Sequence, residues 1–249
     1  MSQYYNPQRS RNIYDPNSKE LFRLSRSKID LFLNCPKCFY LDRRLGVGQP
    51  PGYPFNLNSA VDKLLKKEFD VYRAKGQTHP LMKEAGLDAV PLKHPQMDEW
   101  RNALSGGITY AYPDTNLLLT GGVDDVWITP KGEFIIVDYK ATSKNGEMGI
   151  DADWQIGYRR QMEMYQWLFR RNGFKVSDTG YFVYCNGLTN RDGFDARLDF
   201  DIELIPYEGN DSWVDEAVKE LYACLQSDEM PESGENCDFC AYRDAVGER

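Results

Sequence analysis

The chain has 249 residues, 41% of them hydrophobic and 27% charged, enough apolar content for the core of one large domain or two small ones. Thirty basic residues against 38 acidic ones leave a formal net charge of −8. That excludes a protein that grips nucleic acid through its overall charge, but leaves room for a local basic groove.

No apolar run of about 18 residues occurs, so no membrane-spanning segment is expected. The opening MSQYYNPQRSRNIYDPN lacks the apolar core of a signal peptide, and the expected location is cytoplasmic. Six cysteines in such a chain point to metal ligation or plain burial rather than disulfides.

Residues 1–20 are polar and read as a flexible arm. From Ser25 to Leu45 a helix is predicted, with Ser27 as its cap and Asp30 in the capping-box position. Ile29, Phe32 and Leu33 form its apolar stripe, Cys35-Pro36-Lys37-Cys38 interrupts it, and Phe39-Tyr40-Leu41 resumes it. Arg26, Lys28, Lys37, Arg43 and Arg44 make this the most basic stretch; it is either a solvated face or a phosphate-contacting one.

A Gly- and Pro-rich loop over 46–56 leads into an amphipathic helix over 57–73. Val61, Leu64, Leu65, Phe69 and Tyr72 share its apolar face. Glu68 projects into that stripe and Asp62 sits at its edge. Carboxylates there need a cation, whether a basic side chain or a metal. His79 and His94 each precede a proline and read as loop residues. A short helix over 97–104 is packed by Trp100.

The segment 117–144 reads as two adjacent strands. Leu117-Leu118-Leu119 leads through Gly121-Gly122 into Val123–Ile128. Pro130-Lys131-Gly132 turns the chain, and Phe134-Ile135-Ile136-Val137 is a buried strand that ends in Asp138-Tyr139-Lys140. Asp124 lies on the first strand. Asp138 and Lys140, two apart on the second, point to one face. Converging carboxylates suit a hard divalent cation. An ammonium beside them can position an attacking water and stabilise charge on a phosphate.

Ala141–Gly149 is a polar loop. The helix predicted over 153–171 puts Trp154, Tyr158, Tyr165, Leu168 and Phe169 on one face, with Gln161 in its middle needing a polar partner. Arg159, Arg160, Arg170 and Arg171 flank it. Strands follow over 179–184 and 197–205, then a helix over 211–225. Cys237-Asp238-Phe239-Cys240 repeats the C-x-x-C spacing of Cys35 and Cys38. Two such pairs complete a four-sulfur shell for zinc or a 4Fe–4S cluster. Cys185 and Cys224 read as core residues.

Gly121-x-x-Asp124, then Asp138-x-Lys140, then Gln161-x-x-x-Tyr165 on the next helix resembles the core of the PD-(D/E)XK nuclease superfamily, in its RecB-like branch. The resemblance covers most of residues 21–243. It implies a restriction-endonuclease-like α/β fold: a mixed central sheet flanked by helices, within a single domain over 21–249. The four cysteines would join the N- and C-terminal segments.

The resemblance also implies a Mg2+- or Mn2+-dependent DNase that acts in DNA repair, recombination or foreign-DNA processing, with DNA as partner and a larger processing complex as a further candidate. Asp124, Asp138 and the Tyr139 carbonyl would hold the metal. Lys140 would position the water, and Gln161 and Tyr165 would support the site.

Two departures stand out. The family usually brings a histidine to the metal from about the position of Asp62; here an aspartate could ligate in its place or form a salt bridge. Cluster-bearing relatives join one N-terminal cysteine to three C-terminal ones, whereas this chain has two and two. The expected group is a 4Fe–4S cluster, with zinc as the alternative. A nuclease-fold binding module without cleavage is the competing function.

Overall fold

A computed structural model of the protein describes residues 9–52, 56–144, 146 and 148–247. In chain order the first elements are β1 (Phe22–Ser25), α1 (Arg26–Asn34), α2 (Pro36–Arg43), α3 (Asn56–Lys75), α4 (Pro80–Glu84) and β2 (Val90–Pro91). Next come α5 (Met97–Trp100), β3 (Ile108–Ala111), β4 (Leu117–Gly121), β5 (Asp125–Ile128) and β6 (Phe134–Thr142). The last are α6 (Ile156–Arg171), β7 (Thr179–Gly187), β8 (Phe200–Glu208), α7 (Val214–Gln226) and α8 (Asp238–Gly247). The backbone groups into two compact units. Unit 1 comprises Met1–Tyr53, Thr109–Thr120 and Ser212–Arg249; unit 2 comprises Pro54–Ile108 and Gly121–Asp211.

Unit 2 carries a five-stranded mixed sheet in the order β2-β5-β6-β7-β8. β5 and β6 form the expected antiparallel hairpin, with Asp125 opposite Val137. β6 and β7 run parallel, Asp138 opposite Phe182 and Lys140 opposite Tyr184. A parallel pair needs a crossover, and α6 supplies it. β2 is two residues long and contains Pro91, which suits an edge strand.

Strand alternation sorts the residues of β6. Ile135, Val137 and Tyr139 pack in one cluster with Leu65 and Phe69 of α3. The alternate residues therefore point to the opposite face, where Lys140 meets Gln161 of α6. Helices thus flank the sheet on both faces, as expected. Each fully buried Phe, Leu or Val contributes about 1.5–3 kcal/mol, and Phe69, Val137 and Val183 are all 0% exposed.

In unit 1 a three-stranded sheet has the order β1-β4-β3, with β1 parallel to β4. Residues 1–8 of the arm lie outside the described residues. Its described part docks through Tyr14, which is buried. The Tyr14 hydroxyl donates to Asn116 Oδ1 at 2.8 Å, and its amide donates to the Arg43 carbonyl at 2.6 Å.

Several local expectations are corrected. Ser25, in extended backbone, stands at the N-cap of α1 and makes no side-chain cap bond; the Ser25 and Ser27 hydroxyls lie 3.0 Å apart instead. Leu64, placed on the buried stripe of α3, is 63% exposed, and Trp154 is 66% exposed on the turn before α6. Asp124 lies in the bend just before β5 rather than on the strand.

Candidate active site and cysteine centre

The site of unit 2 gathers at the end of β6. Asp138 is fully buried, and the Lys140 ammonium pairs with its Oδ2. Lys140 Nζ also donates to Gln161 Oε1 at 3.1 Å and lies 4.4 Å from the centroid of the Tyr158 ring. Gln161 Nε2 in turn donates to the Tyr165 hydroxyl at 3.1 Å. A carboxylate, an amide and an aromatic face thus fix one long flexible side chain. The helical spacing of Tyr158, Gln161 and Tyr165 makes this possible, because residues three and four apart share a face of α6.

Tyr165 explains Gly121. A Cβ on Gly121 would stand 2.6 Å from Tyr165 Cε1, and one on Gly122 would stand 2.6 Å from the Ala103 Cα. The chain must pass close under the tyrosine ring, and only glycine permits it. The bend that follows delivers Asp124, whose Oδ2 accepts the Tyr139 amide at 2.9 Å.

Asp62 reaches the same place from α3. Between Asp62 and Asp124 sits Lys66, one turn on from Asp62. Its Nζ is 2.7 Å from Asp62 Oδ1 and 3.1 Å from Asp124 Oδ1. Burial and the nearby charge of Asp124 raise the Asp62 carboxyl above its ordinary range, against the pull of Lys66. Burial works to lower Lys66, but Asp124 and Asp62 outweigh it and hold the ammonium above its ordinary value. A cavity of about 320 Å³ opens here, lined by Asn58, Val61, Asp62, Tyr139, Lys140 and Tyr158 among others.

The expected residues therefore form two linked ion-pair groups: Asp62–Lys66–Asp124, tied to Tyr139, and Asp138–Lys140–Gln161–Tyr165. Their donor set is all oxygen, the chemistry that a hard divalent cation takes. The Lys66 ammonium stands between Asp62 and Asp124 and supplies the positive charge that a cation there would bring.

Glu68 plays no part in this cluster; its carboxylate meets His79 Nε2 at 3.0 Å. His79 caps α4 and stacks on Phe69. His94 stacks on Trp100 at a centroid distance of 4.3 Å.

The sequence reading omits Lys66 and Asp125 from the site and places Tyr158 only on the apolar face of its helix. Lys66 had a signal, its i,i+4 spacing from Asp62. Asp125, next to Asp124, points the other way. It is fully buried, paired with Arg73 and Arg101, and accepts the Tyr139 hydroxyl at 2.9 Å. Burial and the Asp125 charge push that hydroxyl well above its ordinary pKa. Arg101 Nε also donates to the Asp124 carbonyl at 3.0 Å, so this buried network holds the bend that carries Asp124.

The basic residues first considered for phosphate contact are partly engaged elsewhere. In unit 1, Lys28 and Arg43 both pair with the buried Asp42 at 2.8 Å, and Arg44 pairs with Asp228. In unit 2, Arg170 pairs with Asp178 and Asp211.

Unit 1 brings Cys35, Cys38, Cys237 and Cys240 together, their sulfurs all within 4.8 Å of one another. The cluster joins the N- and C-terminal segments, as expected. Cys35 stands at the N-cap of α2 and Cys38 in its first turn. Cys237 immediately precedes α8, and Cys240 lies in its first turn. Burial works to raise the Cys35 thiol, but the amides of Gly234 and Cys38 outweigh it and bring it down to about 7. Burial pushes Cys240 up to about 11.

No helix among the described residues is long and apolar enough to cross a membrane. No curated protein matches the chain. The model of the PD-(D/E)XK nuclease superfamily matches residues 57–245, a span that holds the hairpin, α3, α6 and the second cysteine pair. With α3, β6 and α6 lining or bordering one cavity of unit 2 and the match covering most of its length, the chain belongs to the PD-(D/E)XK nuclease superfamily.

Proposed function

We propose that the protein is a Mg2+- or Mn2+-dependent deoxyribonuclease of the RecB-like branch. The observation that carries this reading is the environment of Lys140, held by Asp138, Gln161 and the Tyr158 ring at the mouth of the cavity. A pure binding surface has no physical need for a lysine so constrained beside a buried carboxylate.

In this reading Asp62, Asp124, Asp138 and the Tyr139 carbonyl would hold the metal. When bound, a divalent ion supplies Lewis-acid stabilisation of the phosphate and an acidified water. Lys140 is placed to orient an attacking water and to offset negative charge that develops on the phosphate oxygens. Gln161 and Tyr165 keep the ammonium from drifting back to solvent. Asp62 takes the place of the histidine usual in the family, which makes the donor set harder. Lys66 balances Asp62 and Asp124, and a metal ion held by those oxygens would compete with its ammonium. DNA repair, recombination or foreign-DNA processing, alone or in a larger complex, is the setting that the family resemblance suggests.

Binding without cleavage is the competing reading, favoured by the Lys66 bridge if it cannot be displaced. The test is cleavage of labelled single- and double-stranded DNA with added Mn2+, wild type beside Lys140→Ala. Metal-dependent cleavage is expected in the wild type, with a loss of roughly 100- to 1,000-fold in the variant, the scale of one charge-stabilising donor. DNA binding by folded wild type with no cleavage in either metal would sink the enzyme reading.

A further inference from the structure

The family resemblance implies a 4Fe–4S cluster for the cysteine centre, and the geometry disagrees. Cys38 Sγ lies 3.5 Å from Cys237 Sγ and 3.7 Å from Cys240 Sγ, while Cys35 Sγ lies 3.7 Å from Cys240 Sγ. These sulfurs are at van der Waals contact. In a cubane each cysteine binds a different iron at an outer corner. Four irons and four sulfides must then fit inside the thiolate shell, which keeps the thiolates well out of contact. A single tetrahedral ion does the reverse. With a Zn–S bond of about 2.3 Å, the tetrahedral angle puts neighbouring sulfurs about 3.8 Å apart.

The local backbone agrees. Both pairs have one design: the first cysteine just ahead of a helix, the second in its first turn. The Cys35 carbonyl accepts from Phe39 N at 3.1 Å, and the Cys237 carbonyl accepts from Ala241 N at 3.0 Å. Each pair thus presents two sulfurs from one tight turn at the positive end of a helix. Cys35 Sγ also receives the amides of Cys38 at 3.4 Å and Gly234 at 3.3 Å, the kind of donor that tempers thiolate charge. Gly234 can approach so closely because it has no side chain: a Cβ there would collide with the Asn34 carbonyl. Two equivalent knuckles facing each other form a closed four-thiolate site with no open position, the form of a structural zinc centre.

We propose that Cys35, Cys38, Cys237 and Cys240 bind one zinc ion, not an iron–sulfur cluster, and that this ion fixes the two ends of unit 1. The inference does not depend on the nuclease reading. The test is the metal content of the full chain, expressed with both iron and zinc supplied, purified without oxygen, and dialysed against Mg2+ to clear the carboxylate site. One zinc per chain is expected, with no acid-labile sulfide and no brown iron–sulfide absorption. Replacing the zinc with Co2+ should give the intense visible bands of a tetrahedral thiolate site. Cys38→Ser should lower zinc content, whereas Cys185→Ser, a buried cysteine outside the cluster, should leave it unchanged. Because Cys38→Ser can fail to fold, the wild-type metal content and Co2+ spectrum decide the matter alone. Iron with stoichiometric sulfide, or a folded metal-free protein whose four thiols react freely, would overturn the proposal.

Discussion

The two ligand clusters of this chain meet their electrostatic problem differently. In unit 2 the carboxylates of Asp62, Asp124 and Asp138 each face an ammonium that the chain supplies, Lys66 or Lys140. In unit 1 the four cysteine sulfurs face one another, and the contacts to Cys35 come from backbone amides. The first site carries its own removable counter-charge and can stand without metal. The second packs its sulfurs at contact, with backbone amides drawing the Cys35 thiol down and burial holding the Cys240 thiol up. The two clusters therefore differ in how the protein balances the charge of their side chains.

The sharpest way to break this contrast is to remove both metals. Structural zinc of this kind contributes apparent binding free energies of about 10–16 kcal/mol, comparable to the whole stability of a typical domain, about 5–15 kcal/mol. A strong chelator under reducing conditions should abolish hydrogen-exchange protection in α1, α2 and α8 while Mg2+ removal alone leaves it intact. Protection that survives both treatments would end the distinction.

Asp42 offers an internal comparison within unit 1, because it is a carboxylate satisfied by side-chain cations without any metal. Its side chain is 2% exposed and it pairs with Arg9, Lys28 and Arg43. Asp42→Asn leaves those cations short of their partner and should cost about 3–5 kcal/mol in denaturant unfolding. Burial works to raise the Asp42 carboxyl, but Arg43 and Lys28 outweigh it and hold it below its ordinary value. A depressed folded pKa gives stability that is fully present above the unfolded value of about 3.9 and disappears as pH falls through the folded one. The gap between wild type and variant should therefore close on acidification below that range. A gap that persists unchanged at low pH would contradict the assignment.

A smaller effect sharpens the view of the unit 2 cluster. Gly121→Ala forces the Tyr165 ring aside and should cost about 1–3 kcal/mol by overpacking. In a Tyr165→Leu background the penalty should shrink, and a double-mutant cycle measures the coupling. Smallest of all is Lys66→Met. Without the bridging ammonium the metal-free protein should melt lower, and Mn2+ should bind roughly tenfold tighter, about 1.4 kcal/mol. Calorimetric titration reads this directly, and unchanged or weaker Mn2+ binding would show that Lys66 is no competitor for the metal.

Much of unit 2 was legible because its signals are local. The buried run 134–137 ending in Asp138-x-Lys140, the turn before it, and the spacing of Gln161 and Tyr165 on one helix face all fix geometry within a few residues. Asp125 was less legible, since its role rests on Arg73 and Arg101, which arrive from distant points of the chain. β1 and its sheet were missed for the same reason: FRLS is too short to carry a periodic signal, and its partner is Leu117–Thr120. Leu64 shows the limit of periodicity itself. It has the spacing of a core residue, yet it is 63% exposed. In the cysteine centre the spacing announced a four-sulfur site, but spacing alone is blind to how far apart the sulfurs stand.

The contact between Gly121 and Tyr165 also has an evolutionary meaning. The two residues belong to separate motifs, yet they occupy one volume, so neither can drift alone. A lineage that gained a side chain at position 121 would first need a smaller ring at 165, and with it a new anchor for Gln161. The two motifs are in this sense a single steric unit, and a change at one position demands a change at the other.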